Sequence, residues 1–121
     1  MITITNLIDN NLFISLSDTV SHHDYEHTLV PAIDGILAQH DKINIAVLFT
    51  DEFKSVTLNA LIDDAQLGIK HWSHWHKIAI MNAPTWLHTA ISALETITPF
   101  SFDFHNDELA AKLWFQEEDY F

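Results

Sequence analysis

The chain contains no cysteine and no arginine, and only two glycines and three prolines occur among its 121 residues. Without cysteine there is no disulfide framework, no thiolate metal ligand and no thiol nucleophile, and the expected compartment is a reducing one, the cytoplasm. Gly35 and Gly68 stand far apart, so neither a dinucleotide-binding fingerprint nor a phosphate-cradling P-loop can be written. The Gly-x-Ser-x-Gly nucleophile elbow is missing for the same reason. Five lysines oppose 17 acidic residues and the formal charge is −12, which leaves no electrostatic footprint for a phosphate backbone, and no nucleic acid is expected as a partner. The longest apolar run, Ile45 to Phe49, is far shorter than the ~20 residues of a spanning helix. Met1 to Asn6 carries neither the positive charge nor the apolar stretch of a secretory signal, so any membrane contact is expected to be peripheral. What is present is 48% hydrophobic and 18% charged, the composition of one globular domain over residues 1–121.

Hydrophobic periodicity orders the chain. Ile2, Ile4 and Leu7-Ile8, the turn-forming Asp9-Asn10-Asn11 and the apolar run Leu12 to Leu16 predict an N-terminal hairpin that ends at Ser17-Asp18-Thr19. Ser21 is placed to cap a first helix carrying Tyr25, Leu29, Ile33, Ile36 and Leu37. Pro31 removes a backbone donor and predicts a kink near His27 and Thr28, and Gly35 weakens the same helix. Ile43 to Phe49 reads as a central strand buried on both faces, followed by a polar loop from Thr50 to Ser55. A second helix is predicted from about Thr57 to Trp72, then a short strand at Ile78–Met81. A third helix follows, started by Pro84 and carrying Trp86, Leu87, Ala90, Ile91, Leu94 and Ile97. Phe100, Phe102 and Phe104 form a last strand, and Asn106 or Asp107 caps a fourth helix carrying Leu109, Leu113 and Trp114. The order is ββαβαβαβα. Right-handed crossovers then build an α/β fold with a mixed, mostly parallel five-stranded sheet covered by about four helices.

Two stretches carry a resemblance. Asp24-Tyr25-Glu26 followed by Leu29-Val30-Pro31-Ala32-Ile33 resembles the first-helix signature of the SpoIIAA-like bacterial proteins, a family related to the STAS and CRAL-TRIO folds. The run from Ala60 to Trp72 (Ala-Leu-Ile-Asp-Asp-Ala-Gln-Leu-Gly-Ile-Lys-His-Trp), with Lys77-Ile78-Ala79-Ile80 and Trp86, resembles the same family's second helix, following strand and third helix. The resemblance implies kinship with carriers of nonpolar molecules and no established reaction. STAS relatives that antagonise anti-sigma factors are phosphorylated on a serine in an Asp-Ser-Ser-Gly-like turn before the second helix. This chain reads Asp51-Glu52-Phe53-Lys54-Ser55-Val56-Thr57 there, without glycine, so no phosphosite is carried to Ser55.

Reactive side chains offer little. Asp63 and Asp64 are neighbours on a helix and point ~100° apart, which argues against a shared-proton pair. Among nine histidines, His23 and His27 have the i, i+4 spacing of a chelating pair, with His22 and Glu26 beside them, and His71, His74 and His76 form a second group. No third ligand is set by spacing in either group, so no metal, no cofactor and no catalytic residue is expected. More informative is where acid is missing. From Ala65 through Leu94 there is no Asp or Glu, while Lys70, Lys77, four histidines and three of the four tryptophans lie there. Such a segment suits a membrane interface, where amphipathic helices and indoles settle.

The leading expectation is therefore a non-catalytic binding or carrier protein for a nonpolar small molecule or lipid. The molecule would lie between the sheet and the second and third helices, in a cavity lined by Leu58, Leu61, Ile62, Ala65, Trp72, Trp86, Leu87, Ile91 and Leu94. Lys70, His71, Trp72, His74, Trp75 and Trp86 would meet the inner face of the membrane. A helix that inserts ~200 to 300 Å² of apolar surface gains on the order of 5 to 7 kcal/mol, which outweighs remote acids screened beyond ~8 Å. The alternative is a STAS-type protein-interaction module, and the third reading is an interfacially acting hydrolase. A homodimer competes with lipid as the cover for the apolar helix faces.

Overall fold

Five strands lie side by side in sequence order: β1 (Ile2–Ile8), β2 (Asn11–Val20), β3 (Ile43–Val56), β4 (Trp75–Met81) and β5 (Ser101–His105). This is a computed structural model, and it describes residues 1–57, 60, 66, 70, 73–96 and 101–117. β1 and β2 form the expected antiparallel hairpin, turned at Asp9, whose φ of 55° an aspartate tolerates. Every later pair is parallel, so β3 is the central strand.

The helices are α1 (His22–Asp24), α2 (Val30–Leu37), α3 (Thr85–Glu95) and α4 (Glu108–Gln116). Ala60, Gln66 and Lys70 are helical as well, within the segment where the second helix is predicted. The kink predicted from Pro31 is a π-helical turn, Tyr25–Leu29, that joins α1 to α2. Proline cannot donate to the carbonyl four residues back, and the wider turn, closed by the Val30 N–H on the Tyr25 carbonyl, absorbs the missing bond. Ser21 caps α1 as its residue type demands, and Asp107 caps α4 by accepting from the Ala110 N–H at 2.8 Å.

Register puts like with like. The inner face of the sheet carries the rows Leu7, Leu12, Ile45, Ile78, Phe102 and Ile4, Ile14, Val47, Ile80, Phe104, one residue from each strand. Leu29, Ile33 and Ile36 of the first helical rod pack on it. The outer face is mixed: Phe13, Ala46, Ala79 and Met81 take Ala111 and Phe115 of α4, while Asn44 and Lys77 share that face and are buried.

Three expectations change. β2 does not end at Ser17-Asp18-Thr19 but runs to Val20 through register shifts at Asp18, whose φ is 50°. β3 does not give way to a loop at Thr50 but runs on to Val56, and Phe53, Ser55 and Val56 pair with Asp18, Thr19 and Val20 at the far end of β2. Two lone strand ends with unpaired backbone groups satisfy each other, a gain that local polarity cannot reveal. In α4 the buried positions are Ala111 and Phe115, while Leu109 and Leu113 are 63% and 56% exposed.

Candidate functional site

The inner face is covered unevenly. Over β2 and the start of β3, Leu12, Ile14, Leu16, Ile43 and Ile45 are all buried beneath the first helical rod. The rows are less buried toward both edges: Ile4 and Leu7 of β1 are 38% and 50% exposed, and Ile78, Phe102 and Phe104 are partly buried, while Ile80 is 4% exposed. Above the β4–β5 edge lies α3, which reaches the core through Ile91, 6% exposed, and through the partly buried Leu87. His88 lies flat on Phe104, with ring centroids 4.0 Å apart and 14° between the planes.

The outward surface of α3 carries no acid or lysine from Thr85 through Ala93. Trp86 stands on it 61% exposed, so its indole turns away from the sheet instead of lining a cavity beneath the helix. Leu87 and Ile91 face inward. Leu58, Leu61, Ile62, Ala65, His71 and Trp72 lie outside the described residues, as do Asp63, Asp64 and the side chain of Leu94. Lys70 is exposed. His74 is partly buried, its Nδ1 2.9 Å from the Asp41 carbonyl oxygen. Trp75, placed at a surface corner by its neighbours in sequence, opens β4 and is buried beside Ile43. Lys77 leaves the surface altogether: it is 3% exposed on the outer face, bonded to the end of α4. The phenylalanines of β5 were legible only as a strand. Their i, i+2 spacing marks a shared face, and it is the pairing with β4 that aims this face at the inner layer.

The histidines at the first helix do not form a ligand set. His23 and His27 stack on each other at 4.1 Å, and His22 bonds Glu26 at 2.9 Å. Among the described residues no group of three or more such side chains is placed to hold a metal ion. Ser55, at the position of the relatives' phosphorylated turn, stands in β3 with its Oγ 3.2 Å from Thr19 Oγ. No described helix is long and apolar enough to cross a membrane.

A mixed five-stranded sheet, with one antiparallel outer strand and helices packed over its parallel part, defines an α/β domain of STAS type. The SpoIIAA-like family model matches residues 12–116, and the chain belongs to that family. Among solved structures it is similar to an uncharacterized protein of the DUF3478 family with a SpoIIAA-like fold from Shewanella loihica PV-4. The identity is 26% and the TM-score 0.73, over 94% of this chain and 91% of that one. No curated protein matches the chain.

Proposed function

We propose that the protein is a non-catalytic binding protein for a nonpolar small molecule or lipid, held beneath α3 on the β4–β5 half of the inner face. The observation that carries the reading is the uneven cover. Ile78, Phe102 and Phe104 form an apolar floor that stays partly open, under a helix that meets it, among the described residues, through Leu87, Ile91 and the His88 ring on Phe104. When such a helix lifts, a nonpolar occupant restores the packing that an unfilled apolar gap forfeits. The exposed Trp86, on a helix surface without acid, supports delivery at a lipid interface. The buried Trp75 takes no part in that contact, and His74, bonded to the Asp41 carbonyl just before β4, is separated from Trp86 by the length of that strand.

Native mass spectrometry of gently purified protein, followed by extraction into organic solvent, tests this. A stoichiometric nonpolar adduct on the monomer is the expected result. A ligand-free dimer would overturn it, and the same exposed Trp86 would then favour an interaction module of STAS type, in which α3 meets protein instead of lipid.

A further inference from the structure

We propose that the groove between the β1–β2 turn and α2 binds a small organic cation, a compact apolar body carrying a protonated amine. The site lies at the opposite edge of the sheet from β5 and does not depend on the reading of α3. Leu7 of β1 forms one wall and Pro31 and Ile36 of the helix the other, with Gly35 between them and Asp9 and His40 at the rim. The groove is open to solvent along one side and holds about 350 Å³, at the small end of what ligand pockets offer. Leu7 is 50% exposed on its wall, so apolar surface is left in water that an occupant would cover.

Gly35 is the second observation. It sits inside α2 with no positive φ, and a Cβ built on it would meet nothing within 4 Å. Neither backbone conformation nor internal packing asks for glycine, and alanine at such a helix position raises the folding constant about fivefold. What glycine does provide is a bare stretch of helix backbone on the groove, open to close approach by another molecule. The charge at the rim selects the molecule. The Asp9 carboxylate makes no hydrogen bond or ion pair among the described residues, and it is the acidic group bordering the groove of a chain of net charge −12. An anion would meet repulsion from both, whereas a cation gains from both.

The test is amide-resolved NMR titration of the whole chain with three probes of one shape: phenethylammonium, phenethyl alcohol and phenylacetate. Saturable shifts at Leu7, Asp9, Gly35 and Ile36 are expected, with the ammonium binding about threefold tighter than the alcohol and about tenfold tighter than the carboxylate, as for an exposed ion pair. Asp9→Asn should bring the ammonium down to the alcohol. Gly35→Leu, which fills the groove from an exposed helix position, should abolish all three, and Gly35→Ala should weaken binding while stabilising the fold. Shifts that do not saturate, equal binding of the carboxylate, or unchanged binding in both Gly35 variants would each overturn the proposal.

Discussion

The side-chain nitrogen of Lys77 lies 2.7 Å from the carbonyl oxygen of Trp114, so a residue of β4 closes the last turn of α4 from beneath. The same nitrogen reaches the Glu117 carbonyl at 2.8 Å and passes over the Trp114 ring at 5.5 Å from its centroid. The final carbonyls of a helix have no partners of their own and carry the negative end of its dipole. Here the Glu117 N–H reaches the Trp114 carbonyl at 3.1 Å, and a lysine that is 3% exposed adds a second donor there and one at the Glu117 carbonyl. One residue thus fastens the helix that covers the outer face.

Replacing Lys77 with methionine keeps the apolar stem and removes the donor. The part-buried Glu117 carbonyl then loses this donor and the Trp114 carbonyl keeps only the Glu117 N–H at 3.1 Å, so a loss of about 1.5 to 3 kcal/mol is expected, as for hydrogen bonds to a charged group. Urea denaturation gives the size, and hydrogen exchange should show α4 opening before the sheet. Equal protection of α4 in the variant and the parent would mean that Phe115 and Ala111 hold the helix unaided.

Asn44 repairs the sheet where its ladder slips. The register of β3 against β4 shifts between Ile43 and Asn44, and at that point the Asn44 Oδ1 accepts from the Lys77 N–H at 3.1 Å while its Nδ2 donates to Asn11 Oδ1 at 2.8 Å. Asn44→Ala leaves a buried N–H and an amide oxygen without partners, at a cost of about 2 kcal/mol. A variant with an unchanged denaturation midpoint would show that water takes over both bonds.

Acid should loosen the entry to the first helix. Burial pushes the Asp24 carboxyl up, but the Ser21 N–H at 2.8 Å, the Ser21 hydroxyl at 2.9 Å, the Ile2 N–H at 3.3 Å and the positive Met1 amino group outweigh it, and the net shift is downward. A carboxylate held below its ordinary value of about 3.9 stabilises the fold fully above that value, and the contribution is lost as pH falls through the lowered one. Asp24→Asn is therefore expected to cost about 1 kcal/mol near neutral pH, the worth of a helix cap. The difference from the parent should shrink toward nothing in strong acid. A difference independent of pH would assign the cost to shape instead of charge.

Trp86 and Ile91 separate surface from core on α3. Trp86→Ser should change stability by no more than about 0.5 kcal/mol, because the indole is mostly in water. It should nevertheless weaken sedimentation with lipid vesicles. Ile91→Asp buries an unpaired charge and should cost several kcal/mol or shift the carboxyl to its neutral form, with α3 released from the sheet. Vesicle binding unaffected by Trp86→Ser would remove the lipid contact.

Much of the frame was legible because it depends on short-range pattern. Alternation in Ile2–Ile8, Ile43–Phe49 and Phe102–Phe104 placed strands, Ser21 and Asp107 announced helix starts, and Pro31 announced the break that the π-turn fills. The second half of β3 was not legible, because Thr50 to Ser55 is polar and becomes a strand only against the end of β2. The two faces of α4 could not be told apart either. Leu109 and Leu113 have the same spacing as Ala111 and Phe115, and the second pair turns inward because the Phe115 ring meets Phe13 at 5.7 Å while Lys77 holds the far end.

The amino-acid sequence by itself determined the α/β class, the order of elements, the family and the absence of cysteine and of a glycine-rich phosphate loop. These follow from residue types and periods of two and 3.6 that act within a few positions. Only the tertiary structure decided that Lys77 and Trp75 are interior, that Trp86 faces out, that Phe102 and Phe104 are only partly buried and that Gly35 opens onto a groove. Each of those depends on cross-strand register and on which helix covers which row, and both are settled by contacts between residues far apart in the chain.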